Sequence, residues 1–375
     1  MERNKRIKYF SYYGCNDTLR WRDNSPAADS KIDYIIGVLN RIGYDVDHVS
    51  RASCSCSHYV HGYVEHNGNN TLRYFASFGK TKSILRVVNK WFMDVQLFVW
   101  CMLNINRGEQ VIVYHSLGYD ALFITLCRFK KVRIIGEIEE IYQDVHRQRK
   151  SLAKNEYKFI ENCQKYIFPT SLLNEKVNNR CKPAAIVHGV YSIENIIEKK
   201  FDDDMVHIVY GGTLDPNKGG AAAAAAAEFL PANYHIHICG FGDSTEIKQV
   251  VKEVNNRSEA VVTFEGELKG EDYKHFIQKC DIGLSTQDPK AAFNATSFPS
   301  KILVYLSNGL KVVSIRIPAI EKSAVADNLF FYDEQTPMNI ANAIKKASEA
   351  EQNSNEILSV LDDRFGNSLL KLLSK

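Results

Sequence analysis

The chain has 375 residues, 45% apolar and 24% charged, with a formal net charge of +3. That length exceeds one ordinary core and argues for two domains of a soluble globular protein. Asp94 interrupts the most apolar stretch (residues 91–103), no signal-peptide region follows the first residues, and the nine cysteines form no regular framework, so a cytoplasmic protein with reduced thiols and no membrane span is expected.

Strand-like and helix-like segments then alternate, which argues for α/β architecture with parallel sheets. Residues 7–13 read as the first strand. Ser25-Pro26 opens a helix that runs to Ile42, with Ile32, Ile35, Ile36 and Leu39 at helical spacing. Gly43 stops it, and residues 45–49 return as a strand. Residues 80–104 combine Trp91, Phe92, Phe98 and Trp100 with Lys82, Arg86 and Lys90. They read either as a helix buried between layers or as a surface helix that touches a membrane. Short buried strands follow at 111–114, 132–135 and 166–169, then a helix start at Thr170-Ser171 and a strand over 184–188. The charged segment 193–204 lacks a clear apolar pattern and reads as a linker. A second series begins at 206–210 and continues with strands at 235–239, 261–264, 282–285, 312–315 and 328–331. Residues 339–375 form two helical segments. The alanine run 221–227 favours helix but buries little side chain.

The two halves differ in charge: residues up to 195 sum to roughly +9 and the remainder to roughly −6. Basic clusters at 80–90, 128–133 and 147–158 read as a solvated surface or as an attraction to an anionic membrane or phosphate-bearing acceptor. No nucleic-acid binding module accompanies them, so nucleic acid is not expected as a partner.

Two segments carry the chemistry. Gly211-Gly212-Thr213-Leu214-Asp215-Pro216-Asn217-Lys218-Gly219 delivers glycines and then a lysine to a helix start. Phe298-Pro299-Ser300-Lys301 does the same with a proline, and its helix runs to Asn308-Gly309. A helix start offers unpaired N–H groups and the positive end of the dipole, so it favours an anion. Two such starts, each with a lysine, can grip one diphosphate from two sides. Gly240-Phe241-Gly242 follows a strand as a Gly-x-Gly loop, although Thr245 stands where a full dinucleotide fingerprint has its third glycine. Phe264-Glu265-Gly266-Glu267-Leu268 could present backbone groups to a base. In the first half, His115 and the trio Glu137, Glu139 and Glu140 stand at strand ends, where α/β proteins bind ligands. Three carboxylates so close together are not expected in a core. They read as a solvated loop or as an acceptor and catalytic site. No metal-binding pattern stands near them.

In this order, the pieces resemble the retaining GT-B glycosyltransferases, especially the family 4 group of bacterial capsule, O-antigen and exopolysaccharide synthesis. The likeness is strongest over residues 206–314. The resemblance implies two Rossmann-like domains facing a cleft: an acceptor-binding domain over 1–192, a nucleotide-sugar domain over 205–350, and a helical tail over 351–375 that packs back on the first. It implies a nucleotide-diphosphate sugar donor, such as a UDP- or GDP-sugar, with no cofactor and no metal. It also implies a lipid-linked oligosaccharide acceptor and peripheral contact with the inner face of the cell membrane. Donor-site residues would be Gly212, Lys218, Gly240, Gly242, Leu268, Pro299, Ser300 and Lys301; catalytic ones Glu137, Glu140 and His115. Thr213 replaces an arginine common in the group, and Thr296 and Val304 replace its glutamate pair, which holds donor sugar and ribose. A sugar-nucleotide epimerase or hydrolase of the same fold, and a catalytically inert nucleotide-sugar-binding protein, are the alternatives.

Overall fold

The computed structural model describes residues 5–14, 21–23, 25–54, 56–79, 83–145, 150–197, 200–215, 219–290 and 297–374. It divides into two compact units: Met1–Pro169 with Leu173–Val190 and Phe365–Lys375, and Thr170–Leu172 with Tyr191–Arg364.

In the first unit, β1 (Lys5–Ser11), β2 (Tyr44–Ser50), β5 (Gln110–Tyr114), β6 (Arg133–Glu137), β7 (Lys165–Phe168) and β8 (Ala184–Ile186) run parallel, with β4 (Asn70–Tyr74) beside β2. Among the described strands only β3 (Tyr63–Asn67) is antiparallel, as a hairpin on β4, and the order is β3-β4-β2-β1-β5-β6-β7-β8. The central strands β5, β6 and β7 hold short apolar runs, as strands buried on both faces do, whereas β2 alternates polar and apolar residues. Phe10, Val111, Val113, Ile134 and Phe168 meet Met93, Leu97 and Phe123 in one core cluster.

Helix α1 (Pro26–Arg41) starts after Ser25 as its sequence predicts and buries Ile32, Ile35, Val38 and Leu39. Helix α2 (Ser83–Asn104) has one buried and one exposed side: Asn89, Met93, Leu97 and Cys101 are buried, while Val87, Trp91 and Leu103 are 69–79% exposed. Among the described residues, no helix is long and apolar enough to cross a membrane.

The second unit has six parallel strands: β9 (Val206–Thr213), β10 (Tyr234–Phe241), β11 (Val261–Gly266), β12 (Ile282–Ser285), β13 (Lys311–Ile315) and β14 (Phe330–Tyr332). Their order, β11-β10-β9-β12-β13-β14, is that of the Rossmann fold, which reverses direction between its first and fourth strands. Helices α7 (Gly220–Ala225), α8 (Thr245–Asn255), α9 (Gly270–Lys279) and α10 (Ser300–Ser307) make successive crossovers. The alanine run is better buried than its small side chains suggest: Ala223, Ala224, Ala226 and Ala227 are fully enclosed. Helix α13 (Ser354–Ser374) ends in the first unit, where Lys165 Nζ donates to Leu372 O at 2.6 Å and Phe365 stacks on Tyr34.

Candidate functional site

A cavity of about 560 Å³ opens in the second unit at the carboxyl ends of β9 and β10, beside the start of α10. Gln287, just past β12, also lines it, so the cavity reaches the switch point between β9 and β12, where open α/β folds bind ligands. Gly211, Gly212, Thr213, Gly240, Leu268, Pro299, Ser300 and Lys301 all line it. Strands that carry no side-chain bulk at their exits let a ligand approach backbone N–H groups. Gly212 is held at φ +149°, and a Cβ there would lie 3.3 Å from Lys301 Nζ. The ammonium stands 4.0 Å from the centroid of the Tyr210 ring, a cation–π contact that orients it at the cavity wall.

Pro299 occupies the N-cap of α10 rather than its first turn; its φ of −70° suits the ring and its ψ of 109° is extended. Among the described residues no side chain caps this helix, and Lys301 stands in its first turn. Gly240 departs from the loop its sequence suggests, since β10 continues through it in register with Gly212. A Cβ at Gly240 would lie 2.4 Å from Gly212 O, so close strand packing alone requires glycine. Gly242 follows with φ +114°. Lys218 and Thr296 lie outside the described residues.

Sequence reasoning missed the cavity floor. Gly211 N donates to the Tyr305 phenol at 2.8 Å, and Tyr305 in turn bonds Tyr273, which also lines the cavity. Burial pushes both phenols up, so both stay protonated at neutral pH. Glu267 and Gln287 line the wall as well, and so does Val304, 38% exposed one turn into α10. The aromatic pair belongs to helices α9 and α10, remote in sequence from Gly211, and only their apolar spacing signalled that they face the sheet.

The first unit treats its candidates differently. Glu137 is fully buried, contrary to the expectation that the carboxylates avoid the core. Its Oε2 accepts a bond from the Tyr9 phenol. Burial, and next the charge of Glu139, push its carboxyl up to about 8. Glu139 pairs with Lys31, whose Nζ donates to both its oxygens at 2.7 Å and to Val187 O at 3.1 Å. Glu140 is half-buried.

His115 N donates to Glu137 O at 2.8 Å, yet the two side chains have different neighbours. Tyr114 is the residue in register with Glu137, and alternation along the strand turns His115 to the other face. There its ring stacks on Phe159, 3.7 Å from Asp120 and 3.9 Å from Glu156. Burial lowers the imidazole to about 4, against a bond with the Glu140 backbone that raises it. Burial and then the charge of Glu156 raise Asp120 to about 8. A charged His115 would form ion pairs at these distances, but desolvation outweighs them here: the proton stays on Asp120 and the imidazole is neutral.

Residues 206–349 match the family model described as Glycosyl transferases group 1. No curated protein matches the chain significantly. Solved structures match its whole length at low identity. One is described as trehalose-6-phosphate from E. coli bound with UDP-2-fluoro glucose (TM-score 0.65, 10% identity, 98% of each chain). A second is a UDP-forming α,α-trehalose-phosphate synthase from Burkholderia xenovorans in complex with glucose-6-phosphate (0.61, 9%, 98% of each). A third is HepE of Anabaena in complex with UDP (0.61, 11%, 99% of each). The fold is therefore GT-B, with two Rossmann-like domains. The domain match and the fold together support a glycosyltransferase of the GT-B type.

Proposed function

We propose that this protein is a cytoplasmic, retaining glycosyltransferase. It moves a sugar from a nucleotide-diphosphate sugar to a lipid-linked oligosaccharide at the inner face of the cell membrane, without a catalytic metal. The observation that carries the reading is Lys301, whose ammonium stands beside Gly212 and the uncapped start of α10 in a cavity at the sheet's switch point. Charge accumulates on the diphosphate as the glycosidic bond breaks. A fixed cation and aligned N–H groups stabilise that charge more in the transition state than in the ground state. Lys218 would add a second cation, and Pro299 and Ser300 the helix start. Gly212, Gly240 and Gly242 give the backbone close approach, and Leu268 borders the base. UDP in the HepE structure and UDP-2-fluoro glucose in the E. coli structure favour a UDP-sugar over a GDP-sugar.

Glu140 is the carboxylate we assign to the sugar substrates. Glu137 and His115 are positioning residues: Glu137 is enclosed, and the His115 ring bonds the Glu140 backbone. Membrane contact is supported by the outward face of α2. Val87, Trp91 and Leu103 are exposed there, and Arg86 and Lys90 flank them. Helix α3 (Asp120–Lys130) adds exposed Phe129 beside this face, since Lys130 Nζ bonds Met102 O. An apolar face with a basic flank suits an anionic bilayer surface.

Two other readings each have an observation behind them. The B. xenovorans complex holds glucose-6-phosphate, which favours a sugar phosphate as acceptor. Val304 on the cavity wall, where the resembling enzymes carry a glutamate, favours an inert binding protein. Nucleotide release should be measured with UDP- and GDP-sugars, with extracted lipid-linked acceptor, with glucose 6-phosphate, or with neither. The proposal expects release that depends on the lipid-linked acceptor. Release driven by the sugar phosphate replaces the acceptor, release with a changed free sugar makes it an epimerase, and binding without turnover makes it inert.

A further inference from the structure

Three histidines converge at the opposite end of the second sheet. His235 and His237 alternate along β10 and so share one face, and His207 on β9 stands in direct register with His235. The rings of His235 and His237 lie 3.9 Å apart, and that of His207 is 5.2 Å from His237. One nitrogen of each ring falls within 4.8 Å of the others.

Their outer contacts fix the proton positions. His207 Nε2 lies 2.9 Å from Asp203 Oδ1, and His237 Nδ1 lies 2.8 Å from Glu265 Oε1. A carboxylate only accepts, so each of these nitrogens carries the hydrogen and donates. The remaining nitrogens, His207 Nδ1 and His237 Nε2, then point lone pairs at each other across 2.9 Å. Two facing lone pairs repel unless a cation lies between them or a proton is added. Metal–imidazole bonds are about 2.0–2.1 Å, which sets two nitrogens on one tetrahedral ion about 3.3 Å apart, a few tenths of an ångström wider than this pair. Histidines backed by carboxylates are the arrangement that orients metal ligands. His235 is half-buried and the side chains of Asp203 and Glu265 are partly exposed, so an ion can enter from that side. Phe201 stacks on His207 and His237 and closes the other.

We propose that His207, His235 and His237 bind a divalent transition-metal ion of the zinc class, held by imidazole nitrogens and oriented by Asp203 and Glu265. All-nitrogen ligation suits zinc, copper or nickel over magnesium or calcium. The ion clamps β9 to β10. It is remote from transfer chemistry: six residues of extended strand separate His207 from Thr213 at the cavity, about 20 Å. The site therefore does not depend on the donor reading.

The test uses the full chain, treated with chelator and then titrated with Zn²⁺ or Co²⁺ at neutral pH. The expected result is one equivalent bound, a higher melting temperature, and visible Co²⁺ absorption bands. His207→Gln and His237→Gln should abolish binding. Glu265→Gln leaves all three ligands in place, so it keeps the test decisive if a histidine variant fails to fold; it should weaken affinity about 10- to 100-fold. UDP binding at the cavity should be unchanged in Glu265→Gln. Absence of stoichiometric uptake by the unaltered protein overturns the proposal, as does wild-type uptake by the Glu265→Gln or His237→Gln chains; the latter would place the metal elsewhere, such as on Cys54 and Cys56.

Discussion

The two sheets are wound alike but finished differently at their carboxyl ends. In the second unit, the strands leave through Gly211-Gly212 and Gly240, and the missing side chains become a cavity edged by Lys301. In the first unit, the exits of β5 and β6 carry His115 and Glu137, and both are buried under neighbouring side chains. A site that reads phosphate needs bare backbone and a fixed cation; one that places a carboxylate for a sugar needs side chains held in position by others. On the function proposed above, the same topology serves both because the residues at the strand exits, rather than the sheet, decide which groups a ligand meets.

The comparison breaks first at Gly240. Gly240→Ala gives the second unit a side chain at its strand exit, 2.4 Å from Gly212 O. Strand ends cannot part that far without strain, so a loss on the order of 1–3 kcal/mol is expected, read as a lower melting temperature together with weaker UDP binding. Unaltered melting would mean that the strand ends are less tightly joined than the geometry requires.

Lys301→Ala tests the cation. Turnover should fall about tenfold or more, ~1.4 kcal/mol of transition-state stabilisation, with little change in folding stability. Lys218→Ala should behave alike if both lysines grip one diphosphate. An unchanged rate in either variant removes that lysine from the mechanism.

The contrast also explains what the sequence could show. Strands β5, β6, β7, β12 and β13 were legible because burial on both faces gives them short apolar runs, and Lys301 because proline and lysine mark one helix start. The hairpin of β3 and β4 was missed although Gly68-Asn69 is a two-residue turn signal, because its half-exposed Tyr63-Val64-Glu65-His66-Asn67 strand lacks clean alternation. The burial of Glu137 was illegible because it depends on Tyr9, 128 positions away in sequence. Tyr273 and Gln287 were missed for the same reason: what they line is set by tertiary packing.

A pH experiment sharpens the first-unit half of the comparison. Glu137 is raised from its ordinary 4.5 to about 8, first by burial and then by Glu139. The folded protein therefore binds a proton more tightly than the unfolded chain at this group. Its contribution to stability is fully present below pH 4.5 and is lost as pH rises through about 8. Asp120, raised from 3.8 to about 8, acts in the same direction. Glu137→Gln keeps an acceptor for Tyr9 but has no proton to release. Urea unfolding between these pH values should show stability falling with pH in the unaltered protein and a shallower slope in the variant. Parallel slopes would mean that Glu137 is charged in the folded state and reaches solvent.

The smallest effect is expected at Val304 on the cavity wall. In the resembling enzymes this position is a glutamate that holds the ribose. Val304→Glu restores that acceptor but also places a carboxylate three positions from Lys301 on the same helix, where the two can pair. The two effects separate when uridine is compared with UDP. A ribose bond worth about 0.5–1.5 kcal/mol tightens uridine severalfold. Pairing with Lys301 leaves uridine alone and weakens UDP. Uridine should therefore gain more than UDP in titration calorimetry. If uridine gains nothing, the ribose lies away from this wall, and the replacement of the glutamate says nothing about whether the chain has lost activity.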